Sequence, residues 1–208
     1  MLDWTGERIC AGEVQAVTAR GLLGTTRIAT PGGWRRAEEI AAGDAVVTFD
    51  SGVQTVRSVA RRLVPGPGGI PEPVLRLPEG LVGNAAPLLV MPGQGVMVES
   101  DLAEAVYGDP FALLPASALR GLPGVVEILP DSPLVVARIA FDADEIVFAE
   151  GQALVHCAGA WAQPASLDDA VRAEPPRYAA LEPGEARLLA AALGRERAGL
   201  PGGPARTV

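Results

Sequence analysis

Gly24-Thr25-Thr26-Arg27-Ile28-Ala29-Thr30-Pro31-Gly32-Gly33, with Ala37-Glu38-Glu39-Ile40-Ala41-Ala42-Gly43-Asp44-Ala45-Val46-Val47-Thr48 shortly after it, is the stretch on which the reading of the fold rests. Arg27 to Thr30 reads as a short strand, and Pro31-Gly32-Gly33 as the turn that ends it. Ala37 to Ile40 suits a single helical turn. Ala41-Ala42-Gly43-Asp44 breaks that turn, and Ala45 to Phe49 is a strand. Gly43 can take the positive φ needed to re-enter a sheet, and Asp44 can accept from nearby backbone N–H groups. Asp50-Ser51-Gly52 then leads into a second strand, Val53 to Leu63, with Val53, Thr55 and Arg57 on one face.

Further along, Pro65 to Pro73 is a Pro- and Gly-rich surface loop. Val74 to Leu77 and Pro87 to Met91 are short extended segments. The turn Pro92-Gly93-Gln94-Gly95 precedes a strand, Val96 to Glu99. Asp101 to Val106 and Ala116 to Leu119 suit helical turns. Leu134 to Phe141 and Glu145 to Ala149 are β-rich runs around Asp142-Ala143-Asp144, a pattern that predicts a hairpin. Residues 158 to 183 read as irregular. Glu185 to Glu196 reads as an amphipathic helix, with Leu188, Leu189, Ala192 and Leu193 at helical spacing and core packing as its simplest role. Upstream, Val14 to Thr18 suits a strand. The expected division is an N-terminal segment (1–20), a β domain (21–157) and an irregular tail (158–208) with a helix near 184–197.

Composition agrees with a mostly β chain. The 208 residues include 25 Gly and 19 Pro, a density that keeps helices and strands short. Hydrophobic residues are 49% and mean hydropathy is +0.25, enough to bury a core. No apolar run reaches the roughly 18 residues of a membrane span. All 17 basic residues are Arg, set against 25 acidic ones, for a net charge of −8. That balance argues against a nucleic-acid partner and offers no polybasic lipid signal. Two cysteines, Cys10 and Cys157, and one histidine, His156, form neither a disulfide framework nor a zinc pattern. No charged segment followed by an apolar one opens the chain, so the cytoplasm is the default compartment, with non-classical secretion left open.

The opening block, taken with Gly43-Asp44, resembles the start of the Hint (hedgehog/intein) fold, and most of all its bacterial type. Two later blocks continue the likeness. Pro87-Leu88-Leu89-Val90-Met91-Pro92-Gly93-Gln94-Gly95-Val96-Met97-Val98 is similar to the family block that ordinarily holds a catalytic His. Ala137 to Gly151 is similar to the late strand pair. Together they span roughly residues 20 to 155. The resemblance implies a mostly β, horseshoe-shaped array of short, twisted antiparallel strands with a short C-terminal helical appendage. It also implies self-catalysed backbone cleavage. A Cys, sometimes a Ser, attacks the carbonyl just before it, a His protonates the departing nitrogen, and a second nucleophile, an Asn cyclisation or an outside acceptor resolves the ester.

Carried onto this chain, the nucleophile position falls on Gly21, the His position on Gln94 and the second His on Asp144. Glycine cannot attack, and glutamine does not titrate at neutral pH. The intein-type terminal His-Asn is echoed only by the His of His156-Cys157. Losing one member of a catalytic set costs on the order of 10⁴ in rate, and further losses add little. The preferred expectation is therefore a catalytically degenerate Hint-type domain with a binding or scaffolding role. Its partner would be a protein or small molecule, and no cofactor or metal is implied.

Two alternatives stay open. One is an active self-cleaving domain with a relocated nucleophile; the other is a plain β-rich structural protein. Thr25 and Thr26 lie near the vacant position, although Thr26 matches a structural threonine of the family. Cys10 reads as a small buried hydrophobe. His156 and Cys157 could form a Cys-His pair, but neighbours in a strand face opposite ways. Asp142, Asp144 and Glu145 could hold a hard cation, yet a solvated turn is the simpler reading. Gln94 is either a plain turn residue or a hydrogen-bonding relic of the cleft.

Overall fold

The computed structural model describes residues 19–70, 72–159 and 177–199. Cys10, the strand expected at Val14 to Thr18 and most of the irregular stretch fall outside them. The described chain holds fourteen strands, two 3₁₀ turns and two α-helices. A six-stranded sheet has the order β11(Val126–Ile128), β7(Val74–Leu77), β8(Leu88–Val90), β1(Leu22–Leu23), β12(Leu134–Ala140), β6(Ser58–Val64). The eight-stranded sheet runs β10(Phe111–Pro115), β9(Gly95–Glu99), β14(Ala153–Cys157), β13(Glu145–Ala149), β2(Arg27–Thr30), β3(Gly33–Arg36). In addition, β4(Ala45–Thr48) pairs with β13, and β5(Gly52–Thr55) with β4. Every pairing between these strands is antiparallel.

The opening block folds as its sequence suggests. β2 turns into β3, with Thr30 paired to Gly33, and Ala37–Glu39 form a 3₁₀ turn. Gly43 has φ +91°. The Asp44 carboxylate accepts from the Ala41 N–H at 2.8 Å and from Arg35 at 2.9 Å. The Ala41 bond leads in holding its pKa below the usual carboxylate value, and Arg35 adds to it. Asp44 thereby pins the hinge between the turn and β4.

Two expectations fail at places where the chain changes sheets. Residues 53–63 are not one strand. β5 ends at Thr55, Val56 is buried, and β6 starts at Ser58 in the other sheet. The Val56 N–H bonds Asp44 O and the Arg57 N–H bonds Ala140 O, both at 2.8 Å, so both N–H groups of the crossing are hydrogen-bonded. Likewise β12 and β13 make no hairpin, because they lie in different sheets. Phe141 is 1% exposed and enters the core with Ile28, Val46 and Val147, and it bridges in parallel to Gly159. An aromatic buried at that point carries the chain across the core instead of back along β12.

Helix α1(Asp101–Tyr107) is capped by Ser100, whose side chain accepts from Leu102 N–H, and by Gly108 at φ 74°. Helix α2(Pro183–Gly199) buries Ala186, Leu189, Ala190 and Leu193 against a core shared with β9, β10 and the second 3₁₀ turn, Ala116–Leu119. Leu188 was expected on that stripe but is 71% exposed. Three residues from Ala186 to Leu189 continue one helical face, and Leu188 falls one position out of step. Among the described residues no helix is long and apolar enough to cross a membrane.

Candidate functional site

The turn between β8 and β9 carries Gln94 into the interior, where it is 4% exposed. Its Nε2 donates to His156 O at 2.7 Å and to Gly95 O at 3.1 Å. Two carbonyls can only be met by the amide NH₂, so Oε1 is fixed to the other side. There it accepts the Gly21 N–H at 2.9 Å. The same turn holds the chain two residues further back, since Gly93 N–H donates to Ala19 O at 2.9 Å. The Arg20–Gly21 peptide is thus held at its N–H by Gln94, and the peptide before it at its C=O by Gly93.

Gly21 is buried and has φ +133°. A Cβ there would come within 2.4 Å of Val136 Cγ1 and 3.1 Å of Ala137 O. The backbone at this position therefore suits glycine on two independent grounds, its dihedral and its neighbours. β1 begins at the next residue and pairs Leu22 with Ala137 on β12, which sets how close Gly21 sits to that strand.

His156 lies on β14, opposite Ile146, with its side chain 12% exposed. Burial depresses its pKa below 6.5; the Asp144 carboxylate opposes this and Arg20 reinforces it. Nε2 stands 3.8 Å from Asp144 Oδ1 and makes no hydrogen bond. Asp144 is 8% exposed and accepts the Gly159 N–H at 2.7 Å. The structure therefore links Gly21, Gln94, His156 and Asp144 in one largely buried cluster, through the Gln94 amide, the His156 carbonyl and the 3.8 Å approach of the imidazole to Asp144.

The other nominated residues lie elsewhere. Thr25 is exposed in the turn after β1. Thr26 is 3% exposed, with its N–H on Leu23 O and its carbonyl accepting from Ala37, which is a structural role. Cys157 is on the opposite face of β14 from His156, in the cluster of Ile28, Val46, Phe141 and Val155, so the two form no pair. Burial, with some help from Glu145, pushes its thiol up to about 12. The acidic turn is solvated only at Asp142, 3.7 Å from Arg57, whereas Asp144 and Glu145 are buried. That corrects the reading of a solvated trio. Among the described residues no three His, Cys, Asp or Glu side chains could hold a metal ion.

Sequence reasoning missed the groups that cover the cleft. Tyr178 stands edge-on to His156 with ring centroids 6.1 Å apart, and Arg177 lies beside it. Both come from a stretch without periodicity or motif, so no local signal marked them.

The family model of the Hint domain matches residues 21–154. Among solved structures, a bacterial intein-like domain from Clostridium thermocellum is similar with a TM-score of 0.50 and 17% identity, covering 66% of this chain and 99% of that one. At that identity the likeness speaks to the fold, which is the mostly β Hint fold with a C-terminal helix. A splice-inactive variant of the AceL NrdHF class 3 split intein reaches a TM-score of 0.48 at 13% identity, covering 68% of this chain and 99% of that one. No curated protein matches the sequence.

Proposed function

The chain belongs to the Hint-domain family, and from that premise we propose that it is a Hint domain that no longer cleaves its own backbone and keeps the cleft as a binding or scaffolding surface. The observation that carries the proposal is the bond from Gly21 N–H to Gln94 Oε1. Family-type cleavage would break the Arg20–Gly21 bond, and it needs a proton delivered to the Gly21 nitrogen. Gln94 does the reverse. It presents a lone pair to that N–H, which favours the intact planar amide, and it has no proton to give at neutral pH.

The nucleophile side of the reaction fares no better. Glycine offers no attacking atom at position 21. The Cys157 thiol, at about 12, is ionised to roughly 10⁻⁵ at pH 7 and faces the core. Thr25 and Thr26 have no titrating partner in the cleft, since His156 meets Asp144 and Tyr178 instead. The reading as a β-rich structural protein with an accidental likeness is set aside by the family match. The occupant of the cleft would be a protein segment or a small molecule, and the cytoplasm is the compartment assumed.

Intact-mass spectrometry after incubation with dithiothreitol or hydroxylamine tests the proposal. The expected result is an unchanged species of 21.4 kDa. A fragment beginning at Gly21 would overturn it.

A further inference from the structure

Past the matched family segment the chain returns to the cleft. The Leu181 N–H donates to Leu113 O at 2.9 Å and Ala180 bridges in parallel to Leu113, so this segment pairs with β10, the outer strand of its sheet. Just before it, the Tyr178 ring packs against the cluster of Met97, Leu113, Ile146 and Leu154 and stands edge-on to the His156 imidazole. The Tyr178 hydroxyl donates to Asp50 Oδ2. Arg177 bonds Ser51 Oγ at 2.7 Å and lies 3.8 Å from Glu145 and 4.0 Å from Asp50. Downstream, helix α2 is fixed by its buried apolar stripe. The segment therefore has an apolar anchor at one end and a polar clasp at the other.

The two ends differ in strength. Arg177 is 44% and Asp50 34% exposed, and ion pairs that wet hold weakly. The clasp opens more readily than α2 leaves the core. What lies under it is unusual for a core group. His156 Nε2 is buried without a hydrogen bond, an exception among buried polar groups that calls for a reason.

We propose that residues 177–181 form a strap that closes the cleft over His156, clasped by Tyr178 and Arg177 on Asp50, so that access to the imidazole is governed by a segment beyond the matched Hint region. The inference goes beyond the cleavage question and stands whether or not the Arg20–Gly21 bond is cut.

His156 is the chain's single histidine, so modification by diethyl pyrocarbonate gives one imidazole signal, read by intact mass and mapped by peptide digestion. The full-length protein should react slowly. Tyr178→Phe, which removes only the bond to Asp50, should react roughly tenfold faster, the factor expected for one lost hydrogen bond to a charged group. Tyr178→Ala should react faster still. Leu188→Ala, an exposed change on α2, should leave the rate unchanged. Equal rates in the wild type and both Tyr178 variants overturn the strap. Equal acceleration by Leu188→Ala does so too, because the exposure would then come from general loosening.

Discussion

Gly21→Ala is the change that most directly probes the cleft. The added Cβ would meet Val136 Cγ1 at 2.4 Å and Ala137 O at 3.1 Å, at a backbone φ of +133°. Holding a non-glycine residue at such a dihedral costs about 1–3 kcal/mol. Overpacking against a buried valine costs about 1–3 kcal/mol more. Escaping the clash by moving the backbone would break the Gly21–Gln94 bond, so relaxation gains little. The expected loss is about 2–6 kcal/mol, a large part of the roughly 5–15 kcal/mol that holds a domain together. Urea unfolding followed by circular dichroism measures it. The control is the double variant with Val136→Ala, which removes the nearest clashing atom. Its cost should fall short of the sum of the two single changes by about 1–3 kcal/mol. A Gly21→Ala loss within about 0.5 kcal/mol, the range of an ordinary surface change, or strict additivity with Val136→Ala, would refute the claim that position 21 is closed to side chains. The same clash meets any larger side chain at this position. Gly21→Cys alone would strain the backbone before its thiol reached the Arg20 carbonyl.

Gln94→Ala leaves the buried Gly21 N–H and His156 C=O without their partner, and it should cost about 2–4 kcal/mol in the same unfolding assay. His156, buried neutral, should titrate below 6.5 by NMR of its ring protons, and Asp144→Asn should lower the midpoint further because the carboxylate is the group that opposes the shift. A midpoint that rises in Asp144→Asn contradicts the assigned contact. Since the folded-state pKa of His156 is depressed, its neutral form contributes stability above pH 6.5 that is lost as pH falls through the folded value. For Cys157 the sign reverses. Its raised pKa keeps the folded thiol protonated, so its contribution is complete below pH 9 and fades from 9 towards 12. Alkaline melting curves should therefore fall more steeply for the wild type than for Cys157→Ala.

The sequence made the local pieces legible because local chemistry decides them. Gly43-Asp44 and the Pro31–Gly33 turn each carry a residue whose conformational preference acts within a few positions. The connections failed for the opposite reason. Residues 53–63 keep a strand-like pattern straight through Val56, although β5 pairs with β4 and β6 with β12. Alternation reports which face is buried but not which sheet buries it. The break between Ala140 and Glu145 was hidden in the same way, since only the burial of Phe141 tells a crossing from a turn. Of the candidate residues, Gly21, Gln94 and Asp144 were reached by matching blocks; Gly21 is bonded to Gln94, and Asp144 stands beside His156. Arg177 and Tyr178 were not reachable, because their meaning depends on residues 50, 145 and 156, brought near only by folding.

On the proposed reading, the exchange at position 94 explains how the cleft stays folded without its chemistry. An imidazole in its neutral form has one donor and one acceptor. The glutamine amide has two donors and an acceptor, and here all three are used, on His156 O, Gly95 O and Gly21 N–H. A group suited to passing a proton is thus replaced by one that satisfies every neighbouring backbone group and passes nothing. Gln94→His should then leave one of the two carbonyls unmet and destabilise the fold by about 1–3 kcal/mol, while leaving the chain uncleaved in intact-mass spectra because position 21 still lacks an attacking atom. Cleavage by Gln94→His alone would mean that an outside nucleophile reaches the Arg20 carbonyl, and the cleft would then be a catalytic site lacking only its proton donor.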